Sequence, residues 1–481
     1  MISDHADVFI GGEWVPSAAR DRSPVVNPAT EATIAEIPVQ GVEEADAAVA
    51  RSLDAGPAWR AVAPADRARL LRRFAAQVEE HGEELAQLET ANVGKPIGES
   101  CDEVGMVAEV MYFYAGAVDK HRGATVPVAG GVDMTFHEPL GVVAAIVPWN
   151  FPMAITSWKV GPALATGNTI VVKPAEITPL TALRLAELAL DAGIPEGVFQ
   201  VVAGRGSVAG TRLVEHPDVA KVAFTGSTEV GREVMARASG TIKRVTLELG
   251  GKSASIVFAD ADLERAAAAT PGGVFANAGQ DCCARSRVLV ERSVFDRYAT
   301  LLSDAVGAWT VGDPTDPATK MGPLVTAAHR RVVASFLAPG MGDPAGGSVP
   351  THTVGAVPAG PGFWFPPTVV APAAAEWRMA REEIFGPVVA VIPFDDEEDA
   401  VRLANDTPYG LSGSIWTRDG ARGLRMARAV QAGNLSVNSN SSVRVQTSFG
   451  GMKQSGFGRE LGLEALASYS DIKNVFVSTE G

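Results

Sequence analysis

Cysteine is scarce: the 481 residues contain three, at 101, 282 and 283. Cys282 and Cys283 are sequence neighbours, so no disulfide framework is available, and a reducing compartment, by default the cytoplasm, is expected. Basic charge is also in deficit, with 41 lysines and arginines against 56 acidic residues and a formal charge of −15. That balance excludes a general nucleic-acid or anionic-membrane surface and leaves room for a cationic small molecule. No stretch offers the ~20 uninterrupted apolar residues of a membrane span. The nearest, GVVAAIVPWNFPMAI from Gly141, is broken by two prolines and an asparagine. The N-terminus, MISDHADVFIGGEWVPS, carries acidic residues where a signal peptide has basic ones. Internal repeats and low-complexity tracts are missing, and no His/Cys set stands at metal-ligand spacing, so no metal site is expected.

What is present is a globular composition, 46% hydrophobic and 20% charged, in a chain long enough for roughly two to four domains. Residues 64–91 place Leu70, Phe74 and Val78 four apart with Leu71 and Ala75 beside them, an amphipathic helix. From about 140 to 260, β-rich runs (GVVAAIV, NTIVVKPA, VFQVVAG, KVAFTG, RVTLELGG) alternate with helical ones. A second alternation fills 251–440. Such alternation implies parallel sheets covered by helices. Two β-like segments, around 121–139 and in the tail DIKNVFVSTEG, have nothing local to pair with, which suggests an arm completing a sheet in a neighbouring subunit. The Gly/Pro-rich stretch 338–362 reads as a surface loop.

FTGSTEVG, 224–231, follows a strand and opens a helix. Gly226 and Gly231 permit a tight turn, and Ser227 with free backbone N–H groups at a helix N-terminus suits a phosphate, although an ordinary helix start reads the same way. In VVKPAEITP a strand ends in Lys173, with Glu176 three residues on. At the carboxyl end of a parallel strand this pair suits ribose hydroxyls, and the carboxylate repels a 2′-phosphate, favouring NAD over NADP; a surface salt bridge is the alternative.

GQDCCARSR, 279–287, sets the two thiols in a polar, glycine-containing stretch, unlike Cys101 beside Asp102 and Glu103. A thiolate adding to a carbonyl needs an oxyanion donor that does not protonate it, and Asn150 in VPWNFP offers a neutral amide. Hydrolysis of a thioester needs a base, and Glu248 ends the apolar strand of LELGGKSA, where burial raises its pKa. Taken singly, Asn150 also reads as a turn former and Glu248 as a carboxylate bonded to backbone.

Together, VPWNFP, KPAEITPLTAL, FTGSTEVG, LELGGKS, GQDC, EEIFGPV and SFGGMKQSGFGRELG resemble the NAD(P)-dependent aldehyde dehydrogenase superfamily, in order and spacing, from residue 9 to residue 469. The resemblance implies a Rossmann-like cofactor domain (1–120 and 140–248), an α/β catalytic domain carrying the nucleophile (249–442) and a small β oligomerisation arm (121–139 and 465–481), assembled as a homodimer or homotetramer. It implies that Cys282 is the nucleophile, that Asn150 with the Cys282 N–H forms the oxyanion hole, that Glu248 is the general base, and that Lys159 and Glu460 relay protons. NAD is expected against Val147, Pro148, Trp149, Lys173, Ala175, Glu176, Gly206, Gly210, Thr225, Gly226, Ser227, Val230 and Leu249, with Glu383 and Phe385 on the nicotinamide ribose. Water, not coenzyme A, is the expected acyl acceptor, because a base is present. Where many members have glycine two residues after Cys283, this chain has Arg285.

Asp281 stands beside the nucleophile, where its charge raises the thiol pKa, so Arg285, Arg287 or the cofactor must outweigh it. NAGQDC looks like members that oxidise 4-aminobutyraldehyde, and Asp281 in the aldehyde tunnel would pair with a substrate ammonium. Glu103 and Asp102 would add acidity, Tyr112, Phe113 or Trp158 a cation–π face, and Met106 and Phe449 apolar wall. The rival substrate is an acidic semialdehyde held by Arg285 or Arg444; the rival class is a catalytically idle binding homologue.

Overall fold

The computed structural model describes residues 7–10, 13–16, 21–338, 351–353, 356–441 and 443–480. Its first sheet contains the parallel strands Val142–Ile146, Thr169–Lys173, Phe199–Val201, Val219–Thr225 and Arg244–Glu248. In space the third, second and first of these are followed by the fourth and fifth, and Gly456–Phe457 closes the outer side as an antiparallel strand. The central strands are buried along nearly their whole length, which explains continuous Val/Ile/Ala runs where a half-exposed strand would alternate. The helix Pro152–Ala165 is buried at every position, and its apolar circumference reads as that of a central helix.

The second sheet has seven strands, in the order Thr351–Thr353, Thr368–Val370, Val388–Phe394, Arg287–Glu291, Ala254–Val257, Ser412–Trp416 and Asn434–Val437. All its pairings are parallel except that of Thr351–Thr353. The fold is thus mixed α/β, with a Rossmann-like cofactor domain and a catalytic domain.

Three details differ from the sequence reading. The helix expected over 64–91 is two, Pro64–Glu80 and Gly82–Val93, broken at His81. A Cβ on Gly82 would come within 3.3 Å of Val104, so the break lets the second helix settle on Ile97–Ala117. The two arm segments do have a partner in the same chain: Ser470–Ser478 pairs antiparallel with Gly131–Pro139 along its full length, and Thr125–Val128 pairs with the other side. Within 338–362, read as a loop, Thr351–Thr353 is a strand, while residues 339–350 and 354–355 lie outside the described residues.

Candidate active site

In the first sheet the connections leaving Val142–Ile146 and Val219–Thr225 diverge, and α/β sheets open a ligand crevice outside the carboxyl ends of such a strand pair. A cavity of about 630 Å³ opens there. Its wall includes Val147, Pro148, Trp149, Lys173, Ala175, Glu176, Gly206, Thr225, Gly226, Ser227, Val230, Leu249, Glu383 and Phe385. Gly210 lies beneath, against the aliphatic stem of Lys173, where a Cβ would stand 3.3 Å from Cδ.

These residues fit a dinucleotide. Ser227 caps the helix Thr228–Ala238 by accepting the Val230 N–H at 3.3 Å, which turns a helix N-terminus, favourable to a pyrophosphate, toward the cavity. A Cβ on Gly226 would stand 2.6 Å from the Phe224 ring, so the turn into that helix needs glycine. Lys173 donates to the Gly204 carbonyl at 3.2 Å, and burial draws its amine down to about 8. Glu176 lies 3.8 Å from Arg205. Glu383 accepts the Gly251 N–H at 2.9 Å, and burial pushes its carboxyl up to about 7.

Asn150, Glu248 and Cys282 border the same cavity. Cys282 follows a sharp turn in which Asn277, Ala278 and Gly279 all have positive φ. Gly279 presses so closely on Gly386 that a Cβ would stand 2.3 Å from its carbonyl oxygen. The turn is locked by side chains: Gln280 donates to the Asn277 carbonyl at 2.9 Å and accepts the Val325 N–H at 2.8 Å. Asn150 donates through Nδ2 to the Gln280 carbonyl at 2.9 Å, and its own carbonyl accepts from Asn277 at 2.9 Å. The amide is therefore tied to the turn that carries the sulfur.

Hydrogen bonding with Cys283 and burial push the Cys282 thiol well up, and the charge of Asp281 adds to this. Asp281 accepts the Cys283 N–H at 2.8 Å, and one of its oxygens lies within 4.8 Å of both sulfurs. The two arginines behave differently. Arg285 donates to the Cys283 and Asn440 carbonyls and to Ser414, while its charge still acts on Asp281 and both thiols. Arg287 spends its fork on the carbonyls of Lys252, Leu403 and Ala404.

Neither carboxylate oxygen of Glu248 has a hydrogen-bond partner. Burial, then the charge of Glu460, pushes its carboxyl well above the usual range, against the pull of Lys159. Lys159 pairs with Glu460 and donates to Thr225 at 2.8 Å. Glu460 is held by reciprocal backbone bonds with Phe449, whose ring meets Trp158 edge-on at 5.1 Å.

On the side away from the cofactor cavity the acidic residues are sorted differently from the sequence expectation. Glu103 is buried and its carboxylate is taken by Lys95, which also holds Glu89. The acid coupled to Asp281 is Glu99, which accepts the Asn277 N–H at 2.9 Å and is pushed up to about 7 by burial. Tyr112 points to the surface and donates to Glu79 at 2.7 Å, so it offers no face to a cation near the thiol. Asp102 is exposed, while Met106 and Phe113 pack half-buried against the first core. Arg444 donates to Val443 and Ser441 within its own loop.

Sequence reasoning missed Glu99 and also His329, which borders the cavity. The His329 ring bonds the Phe385 carbonyl at 2.6 Å and meets Trp149 edge-on at 5.3 Å. Both stand in the first turn of a helix, Glu99 in Ile97–Ala117 and His329 in Ala327–Ser335, next to other polar residues from which no local pattern separates them.

A Rossmann-like crevice joined to a half-buried thiol, a buried amide and a buried carboxylate is the equipment of a cysteine-dependent dehydrogenase. The chain belongs to the aldehyde dehydrogenase family, whose model matches residues 14–475. It is 42% identical to the NADP/NAD-dependent aldehyde dehydrogenase PuuC of Escherichia coli, over 98% of this chain and 96% of that one. It is also 42% identical to the phenylacetaldehyde dehydrogenase of Pseudomonas fluorescens, over 98% and 95% of the respective chains. The crystal structure of PnpE from Pseudomonas sp. WBC-3 matches with a TM-score of 0.94 at 41% identity, covering 99% of this chain and 98% of that one, and PnpE has also been solved with nicotinamide adenine dinucleotide. The protein is thus an NAD-dependent oxidoreductase acting on aldehydes. No helix among the described residues is long and apolar enough to cross a membrane.

Proposed function

We propose that the protein oxidises short ω-aminoaldehydes, such as 4-aminobutyraldehyde, to the amino acid through a thioester on Cys282. The observation that carries this reading is the convergence of Cys282, Asn150 and Glu248, from three distant segments, on one cavity, with a carboxylate of Asp281 beside the sulfur. Bound NAD supplies the hydride acceptor. The Cys282 thiolate bonds to the carbonyl carbon, and the alkoxide accepts from the Cys282 N–H and from the second Nδ2 hydrogen of Asn150, the first being spent on Gln280. Loss of hydride leaves the thioester. Glu248 takes a proton from water, the resulting hydroxide attacks, and the thiolate departs as the carboxylic acid forms. The proton then passes toward Lys159 and Glu460.

Asp281, with Glu99 coupled to it, supports selection of a cationic tail. The Arg285 and Arg444 forks are engaged with their own surroundings, which disfavours an acidic semialdehyde. Replacing Asp281 by asparagine lowers kcat/KM for 4-aminobutyraldehyde by about 10-fold and leaves that for butyraldehyde within about twofold of wild type. Equal losses on both substrates refute the assignment.

At the adenosine end, Glu176 supports the preference for NAD. Glu176→Gln removes the charge facing a 2′-phosphate and releases Arg205, and kcat/KM for NADP rises roughly 5- to 10-fold in steady-state assays against both coenzymes; an unchanged ratio refutes it. On this reading the cofactor domain spans 1–120 and 140–248, the catalytic domain 249–442 and the arm 121–139 with 465–481. Exposed Phe136, Ile472 and Phe476 on the arm sheet support a homodimer or homotetramer. The unpaired thiols support a cytoplasmic setting.

A further inference from the structure

At the root of the arm lies a second cavity, of about 390 Å³, that shares no wall residue with the cofactor crevice. The end of the helix Val42–Ala61, the helix Pro64–Glu80, the segment after Ile97–Ala117 and the arm strand Gly131–Pro139 bring Arg60, Arg67, His121 and His137 onto its wall. Glu138 is the one acid there among the described residues, and it is paired with Lys473 of the tail strand at 3.3 Å. Four basic side chains against one engaged carboxylate run counter to a chain whose formal charge is −15. Both arginines donate to carbonyls: Arg60 to Pro139 at 3.1 Å, and Arg67 to Ala165, Val62 and Arg60. No carboxylate pairs with either among the described residues. Arg67 is only 8% exposed, and its Nε has no partner. The His121 and His137 rings stack with their centres 3.7 Å apart. His121 Nε2 and His137 Nδ1 both meet the Ser470 hydroxyl, at 2.7 and 3.5 Å, which leaves the second nitrogen of each ring for a ligand.

Arg67 has a structural task, since it closes the carboxyl ends of two helices. Gly167 leaves it room: a Cβ there would stand 3.0 Å from Nη1. That task accounts neither for Arg60 nor for two imidazoles at this spacing, which opposes protonation of both rings unless an anion lies beside them. Burial, then the charge of His137, draws the His121 imidazole down. A doubly charged oxyanion supplies what the wall lacks, because it accepts charge-assisted bonds from a guanidinium fork and from ring N–H groups at once. We propose that this cavity binds a phosphate group, free or carried on a small metabolite, through Arg60, His121 and His137 with the charge of Arg67 beside it, and that the ligand ties the arm strand to the helix ends of the cofactor domain.

The test is isothermal titration of the full-length enzyme with sodium sulfate at constant ionic strength, with NAD saturating so that the pyrophosphate site is filled. Sulfate keeps its double charge across the range, so any pH dependence belongs to the protein. The expected result is one site per subunit, roughly 10-fold tighter near pH 6 than near pH 8, because the bound anion favours protonated imidazole and affinity falls as the rings lose their protons. Arg60→Met weakens binding at both pH values by about 10-fold, and Arg60→Lys recovers part of it. Replacing His121 and His137 together by glutamine keeps the affinity near pH 8 within about twofold and abolishes the gain on acidification. Arg60 is exposed, so its variants carry the test should the double histidine variant not fold. Near pH 8, glycerol 3-phosphate binding more tightly than inorganic phosphate marks a phosphate monoester as the ligand, and the reverse order marks the free ion. Absence of sulfate binding near pH 6, an affinity indifferent to Arg60→Met, or a pH dependence that survives loss of both histidines overturns the proposal.

Discussion

Replacing Cys282 by alanine lowers aldehyde-dependent NADH formation by a factor of about 10³ or more, whereas Cys283→Ala stays within about tenfold of wild type. The asymmetry follows from position: the Cys282 sulfur borders the cavity that Asn150 and Glu248 share, while Cys283 is buried in the first core. The neighbouring thiol is not inert, since its hydrogen bond is the largest cause of the raised Cys282 pKa. Cys283→Ala therefore moves the acidic limb of the acylation rate to lower pH, because a nucleophile relieved of that bond ionises more readily. Stopped-flow NADH fluorescence across pH measures both effects. Equal losses in the two variants overturn the choice of nucleophile.

Glu248→Gln produces a different failure. The first turnover forms NADH at close to the normal rate and the enzyme then stalls as the thioester, with steady-state kcat reduced about 10²- to 10⁴-fold. The contrast arises because hydride transfer asks nothing of the carboxylate, while hydrolysis needs its proton affinity. Both oxygens of Glu248 are buried without a partner, and its carboxyl is held well above the usual range. Wild-type kcat accordingly rises with pH as the base loses its proton. A glutamine, neutral at every pH, removes that rise along with the rate. A burst of one NADH per subunit followed by arrest supports the assignment, and a variant with no burst contradicts it.

The residues proposed to carry this chemistry stand out in sequence because they lie in short stretches containing glycine or proline, four of them at the ends of strands (VPWNFP, VVKPAE, FTGSTE, LELGG) and one, GQDC, after a helical turn. Each stretch marks a place where backbone must turn sharply near a ligand, and the requirement for Gly226 and Gly279 leaves a visible trace. Other residues leave none: Glu99 and His329 lie in the first turns of their helices, next to further charged residues, where one more polar side chain is ordinary. Glu103 misled for the opposite reason: its charge was visible, but Lys95, which takes up that charge, was not recognisable as its partner. The partner of the tail strand was not visible because Ser470–Ser478 finds Gly131–Pro139 across most of the chain, a pairing no local window contains. The break at His81 was hidden because the apolar spacing continues into the second helix.

The last stretch of polypeptide returns from the second sheet to the first: Gly456–Phe457 edges the cofactor strands, Glu460 reaches Lys159, and Tyr469 lies on Lys221. That return also carries packing: Phe449, Leu461, Ala465, Leu466 and Tyr469 all belong to the first core, so a protease cut just before Phe449 strips the cofactor domain of buried side chains at the same stroke as it removes the partner of Lys159.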